Sequence, residues 1–207
     1  MKQINITRDN YGKVTFQEVS VDTTDNVFFT NLDPQQAHWP YWDPNAKSPD
    51  FCDNQIGAAP SPNSSQCTVP VPSGKTPPYS LTYKCKLHQG EQGTINVFAQ
   101  LAAGTTTLPQ VSVNTPFAAP VQVVVGGKSP YTVTGQEFQV IDDSGNVIQS
   151  GKGNLGPGVL IQNVTTDNQG IYVAGIPSLV GTYQFTLTVN DAMGKNLQQV
   201  QYSMKVV

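Results

Sequence analysis

The groups able to do chemistry in this chain are concentrated in one short stretch. "LTYKCKLHQGEQGTINVF", Leu81 to Phe98, carries Cys85 and His88 three positions apart in a polar loop between two strand-like runs. The 207-residue chain has three cysteines and two histidines in all, so this loop holds a large share of its thiol and imidazole groups. Three chemistries could use such a pair. A catalytic Cys-His pair needs a base within reach of the thiolate, a group that orients the base, and an oxyanion hole beside them. A short hairpin loop offers little of that, and no third orienting residue is evident. A zinc site wants four ligands, typically with a second Cys-x-x-Cys or His pair, and the inventory falls short. Copper asks for one thiolate and two imidazoles in a trigonal arrangement with a weaker axial donor, and Cys85, His88 and His38 use up the available set. The plain alternatives are a turn that happens to carry both residues and a hydrogen-bonded loop histidine at position 38.

Composition narrows the partners. Charged residues make up 12% of the chain and the net charge is -3, so the clustered Lys and Arg that phosphate binding needs are missing. The chain therefore has no nucleic-acid partner in prospect and no polybasic surface for anionic lipid. No apolar run approaches the roughly 18 residues of a membrane span, so no membrane insertion is expected. Met1-Lys2-Gln3 leads directly into polar, alternating sequence with no secretory leader, which read alone gives a cytoplasmic protein. The cysteines point the other way. Cys52 and Cys67 bracket "CDNQIGAAPSPNSSQC", a segment without regular period that would gain order from a crosslink. A disulfide closing about 15 residues is worth roughly 3 kcal/mol in the chain-entropy view. It would place the protein in an oxidising compartment, periplasmic or extracellular, and leave Cys85 as the unpaired thiol.

The elements that must hold these residues read as strands. Ile4 and Ile6, Val14 and Phe16, Val19 and Val21, Val27 and Phe29 alternate with polar neighbours, the period of half-buried strands. From Pro34 to Pro78 the pattern gives way to Pro, Asn, Ser, Gln and Gly, a stretch too long for a passive connection. It returns at Tyr79 to Tyr83 and at Thr94 to Phe98. "LAAGTTTLPQ", Leu101 to Gln110, has the small, uncharged composition of a linker. Beyond it lie further strand runs separated by turns such as Asp142-Asp143-Ser144-Gly145. The expectation is an all-β protein of two domains, residues 1–105 with an insertion at 39–78, and residues 106–207.

The segment from Tyr83 to Val97 resembles the ligand loop of the cupredoxins, copper proteins that carry Cys and His on the loop joining their last two strands. Their first histidine follows a strand with a Phe-x-Asn pattern, which "VFFTNLDPQQAH" matches with Phe29, Asn31 and His38. The match covers roughly Ile4 to Phe98 and implies a Greek-key β-sandwich that binds one copper ion through His38, Cys85 and His88. Short-loop members have Met three places after the second histidine. Here that place is Glu91, with Gln92 the alternative axial donor by analogy with members that use Gln. A carboxylate beside the thiolate would favour Cu(II), because Cu(I) would leave a buried negative site. It implies a low reduction potential and a colour shifted from blue toward green or red, as in red-copper members of the family. An Asn often follows the first histidine and ties the two ligand loops together; here Trp39 follows. Trp39 and Trp42 could form an apolar docking patch near copper, or a small core under the insertion.

The second part resembles the immunoglobulin-like repeats of bacterial surface and secreted proteins. The marks are Gly126-Gly127 with Pro130-Tyr131, Gly156-Pro157-Gly158-Val159, Gly175-Ile176-Pro177, and Gly181-Thr182-Tyr183 followed by Val189-Asn190-Asp191. Glycine and proline would set the corners, and Tyr183, Phe185, Leu187 and Val189 would share a face. Such domains are spacers or interaction modules. Asp142, Asp143, Asp167 and Asp191 mostly read as turn formers, with a calcium site the alternative. The expectation for the whole chain is a one-electron carrier for an unidentified redox protein partner, with no substrate turnover. The alternatives are a metal-free binding or adhesion module and a copper storage or sensing protein.

Overall fold

The computed structural model describes residues 2–41, 55–60, 64–68, 75–164 and 170–207, with the backbone alone at 64–68 and 163–164. The protein is all-β: every helical or extended element among the described residues is a strand. It divides into two compact units, Met1–Ala99 and Gln100–Val207.

The first unit contains β1 (Lys2–Arg8), β2 (Val14–Phe16), β3 (Val19–Asp22), β4 (Asn26–Asn31), β5 (Pro40–Tyr41), β6 (Ser64–Thr68), β7 (Tyr79–Cys85) and β8 (Gln92–Phe98). They form two four-stranded sheets, ordered β2-β1-β4-β6 and β3-β8-β7-β5. Each sheet has one parallel pair, β1 with β4 and β3 with β8. Side-chain parity sets what faces inward. On β4 it buries Val27, Phe29 and Asn31; on β7 it buries Leu81, Tyr83 and Cys85. Both apolar rows therefore end in a residue with polar chemistry, and both ends lie at the edge of a core that includes Ile4, Ile6, Phe16, Ile95 and Val97.

Residues 39–78 are only partly an insertion. They supply β5, which pairs with β7, the buried Ile56, and β6, which pairs with β4. Both strands are sheet edges, where short, Pro-containing or polar strands are normal, so they leave no alternating signature. The expected Cys52–Cys67 disulfide and Trp42 lie outside the described side chains.

The second unit has β9 (Ala102–Ala103), β10 (Val121–Val125), β11 (Thr132–Ile141), β12 (Val147–Lys152), β13 (Val159–Val164), β14 (Gly170–Gly175), β15 (Gly181–Asn190) and β16 (Asn196–Val206). Its sheets run β13-β14-β10-β9 and β12-β11-β15-β16, with every strand pairing antiparallel. The expected linker is part of this sandwich. Ala102 and Ala103 pair with β10, and Leu108 N–H then donates to Ser203 O on β16. Leu101 and Leu108 enter the core, so the division falls at 99/100 and not at 105/106. Small uncharged residues suit a strand that crosses between sheets at close quarters: a Cβ on Gly104 would meet Gln122 O at 2.6 Å.

The glycine marks have a steric cause. Gly158 has φ +77°, and a Cβ there would sit 1.9 Å from Ile176 O; Gly175 faces Gly158 O in the same way. These two backbones touch, which only glycine permits. Tyr183, Phe185, Leu187 and Val189 point inward together along β15.

Candidate metal centre

Cys85 is the last residue of β7, and the loop from 86 to 91 returns the chain to β8. Cys85 N–H donates to Glu91 O at 3.0 Å, closing that loop on itself. His38 arrives from the other sheet, on the connection leaving β4, and exchanges two backbone hydrogen bonds with Ile56 at 2.9 and 2.7 Å. β5 then pairs Pro40 with Cys85, so the His38 segment is strapped to the strand that presents the thiol. Trp39 N–H donates to Cys85 Sγ at 3.5 Å, and Lys86 N–H donates to Trp39 O at 2.8 Å. The backbone thus ties the two ligand segments together, a job that needs no particular side chain at position 39. The Trp39 ring lies under the Lys86 ammonium, 4.2 Å from its centroid.

One donor atom each from His38, Cys85, His88 and Glu91 lies within 4.8 Å of the others. Cys85 Sγ is 3.7 Å from His38 Nδ1 and 3.4 Å from His88 Nδ1. Glu91 Oε2 is 2.9 Å from His38 Nδ1 and 3.2 Å from His88 Nδ1. A four-coordinate metal with sulfur at about 2.3 Å and nitrogen at about 2.0 Å needs sulfur and nitrogen about 3.5 Å apart, which these spacings meet. The donors suit copper: one soft thiolate, two imidazoles and one harder oxygen. His38 and Cys85 are buried, while His88 and Glu91 are partly exposed and face the approach from solvent. Gln92 opens β8 opposite Lys84 with its side chain exposed, so the alternative axial residue is turned away. Its neighbour Glu91, the last residue of the loop, brings its carboxylate to both imidazoles.

Behind His38 stands a group that spacing did not indicate. Asp33 Oδ2 lies 2.9 Å from His38 Nε2, and both side chains are fully buried. Arg8 grips the same carboxylate, with Nε 3.0 Å from each oxygen and Nη2 2.7 Å from Oδ2. Sheet register explains the meeting. Parallel pairing sets Ile6 opposite Asn31, so two residues further on Arg8 falls beside Asp33. Asn31 fixes the intervening loop: its amide donates to Gln36 O and Gly57 O at 2.8 Å, and its Oδ1 accepts from Asp33 N–H at 2.9 Å. This is the structural work of the Asn in the Phe-x-Asn pattern. No spacing rule links Arg8 and Asp33 to the ligand loop, which is why sequence reasoning missed them. Asp33 also supplies the orienting group that sequence reasoning found wanting for a Cys-His pair.

Electrostatics follow from these contacts. Burial works against ionising Asp33, but the Arg8 guanidinium, Gln35 N–H and His38 hold its carboxyl well below the usual carboxylate range. Burial also opposes charge on His38, yet its contacts with Cys85, Asp33 and Glu91 raise its pKa above the ordinary imidazole value. A bound cation would take the place of the protons that these contacts hold in the cluster.

Two acids of the second unit serve turns. Asp142 Oδ1 accepts N–H groups from Ser144 and Asn146, and Asp191 Oδ1 accepts those of Met193 and Lys195. Asp143 pairs with Lys205. Asp167 lies outside the described residues.

No protein-family model and no curated protein matches the chain. Among solved structures, an endo-fucoidan hydrolase of glycoside hydrolase family 107 is similar at TM-score 0.34 and 12% identity, over 92% of this chain and 28% of that one. The fibronectin(III)-like modules of Clostridium thermocellum CbhA give TM-score 0.29 and 10% identity over 97% and 93%. The N-terminal eight immunoglobulin domains of Down syndrome cell adhesion molecule give 0.32 and 12% over 99% and 24%. This chain thus spans about a quarter of the length of the first and third. At these TM-scores the likenesses carry no part of the functional reading.

Proposed function

We propose that the first unit is a cupredoxin-type domain that binds one copper ion between His38, Cys85, His88 and Glu91. It works outside the cytoplasm as a one-electron carrier for a redox protein partner, without turning over a substrate. The observation that supports this most is the convergence of two imidazoles, a thiol and a carboxylate from two separate segments within 4.8 Å. A nucleophilic thiol would need one base and an open approach; Cys85 has two imidazoles beside it and is 5% exposed. Bound copper supplies the Cu(II)/Cu(I) couple. The chain's part is to keep the ligands in place in both states, through Trp39 N–H on the sulfur, the Cys85–Glu91 closure and the strap of β5 on β7. Glu91 adds negative charge, which favours the oxidised ion and lowers the potential.

Addition of Cu(II) to the purified chain should give an intense thiolate-to-copper absorption band that Cys85→Ala abolishes. A protein that stays colourless and retains no copper overturns the proposal. Glu91→Met should raise the potential and move the spectrum toward blue. A second reading has one observation behind it: the second sandwich carries immunoglobulin-like marks and offers no metal-ligand cluster among its described residues, which suits a surface binding or adhesion module. A colourless, copper-free first unit would leave that reading in place.

A further inference from the structure

We propose that Asp33, clamped by Arg8, is the positioning residue of the copper site, taking the Nε2–H of His38 and leaving Nδ1 as the bare donor toward Cys85. This rests on the copper reading above. An ionised carboxylate can only accept, so a hydrogen bond between Asp33 and His38 requires the proton on Nε2. Nδ1 is the nitrogen that faces Cys85 Sγ and Glu91 Oε2. The choice of tautomer therefore decides whether His38 presents a lone pair or a proton to the metal.

The carboxylate has no freedom to turn. Oδ1 accepts from Arg8 Nε and from Gln35 N–H, and Oδ2 from Arg8 and His38. Arg8 is held in turn by Gly12 O at 2.7 Å and Gln36 Oε1 at 2.6 Å. The far side of the His38 ring meets Phe16 edge-on, at 5.6 Å between centroids. A buried ion pair is a poor way to gain stability, since apolar residues of the same volume serve as well or better. A carboxylate on the distal nitrogen of a metal-ligating histidine, by contrast, sets its ring orientation and raises its basicity, and its loss typically costs about 10- to 100-fold in metal affinity.

The test uses the full chain, its Asp33→Asn variant and two readouts. The first is nitrogen NMR of the metal-free chain at a pH where the ring is neutral, in a Glu91→Ala background with and without Asp33→Asn. The background removes Glu91, whose Oε2 lies 2.9 Å from Nδ1 and without copper competes with Asp33 for the ring proton. His38 should be a single Nε2–H tautomer, and the variant, whose amide can donate or accept, should mix the two. The second is Cu(II) affinity by chelator competition, expected to fall about 10- to 100-fold, with the reduction potential rising as His38 becomes less basic. Loss of stability alone, with tautomer, affinity and potential unchanged, overturns the proposal. A wild-type chain that binds no copper defeats the copper reading, while the NMR readout still decides the role of Asp33 on His38. If Asp33→Asn fails to fold, Arg8→Lys keeps the charge but loses the two-point grip. It should weaken copper binding by a smaller factor, and unchanged affinity there also overturns the proposal.

Discussion

The chain builds two sandwiches of four strands on four and fills them differently. In the first, Asp22, Asp25, Asn31, Asp33 and His38 are buried together with an apolar core; in the second, Asp191 is the one buried carboxylate, imidazole or amide side chain among the described residues. The second unit satisfies its few interior polar atoms by pairing them with backbone, as when Tyr202 OH donates to Val123 O at 2.8 Å. The first accepts the cost of burying charge by arranging Arg8, Asp33 and His38 into one connected network. Strand connection makes the difference possible. Parallel pairing of β1 with β4 carries Arg8 past the end of β4 to Asp33, whereas the antiparallel ladders of the second unit close into tight turns at Asp142 and Asp191. Glycines at its corners let the second sandwich close, while polar residues at the ends of its inward rows give the first its cluster of donors.

That contrast can be broken experimentally, because both tryptophans lie in the first unit and their fluorescence reports on it alone. The largest effect is expected from Gly158→Ala. It forces a left-handed φ on alanine and drives a methyl into Ile176 O, so the second unit should lose about 3 kcal/mol or more. Circular dichroism should show early melting while tryptophan fluorescence and copper binding hold; equal losses in both units would dissolve the distinction. Next comes Asn31→Ala. It leaves Gln36 O, Gly57 O and Asp33 N–H without their partner, costing the first unit about 2 kcal/mol. Copper affinity should fall with stability here, unlike in the second unit, and an unchanged affinity would separate the loop from the site.

The smallest effect appears only in alkali. Burial pushes the Tyr202 hydroxyl up to about 12, and burial with the nearby Asp191 and Tyr172 does the same for Tyr131. The unfolded chain releases these protons near the ordinary phenol value of about 10, so between there and about 12 the folded unit holds more protons than the unfolded one. Stability of the second unit should therefore fall as pH climbs through that window. Tyr202→Phe should flatten the slope in a denaturant titration followed by circular dichroism; an unchanged slope would place the alkaline sensitivity elsewhere.

Much of this was legible in residue order. Alternation marked most strands, and inward parity of Val27-Phe29-Asn31 and Leu81-Tyr83-Cys85 follows from period two alone. The scarcity of thiol and imidazole groups selected Cys85, His38 and His88 without any coordinates. The edge strands β5 and β6 were not legible, because a two-residue Pro-Tyr edge and a short polar one share their composition with loops. Nor was β9, whose small residues serve close backbone approach as readily as flexibility. What the sequence by itself determined is the kind of protein this is, an all-β chain with one concentrated set of soft and imidazole donors. Only the tertiary structure decided how those donors are held. Arg8, Asp33 and His38 belong to separate local patterns, and they meet because parallel register and a loop pinned by Asn31 set their distances, which no local periodicity encodes.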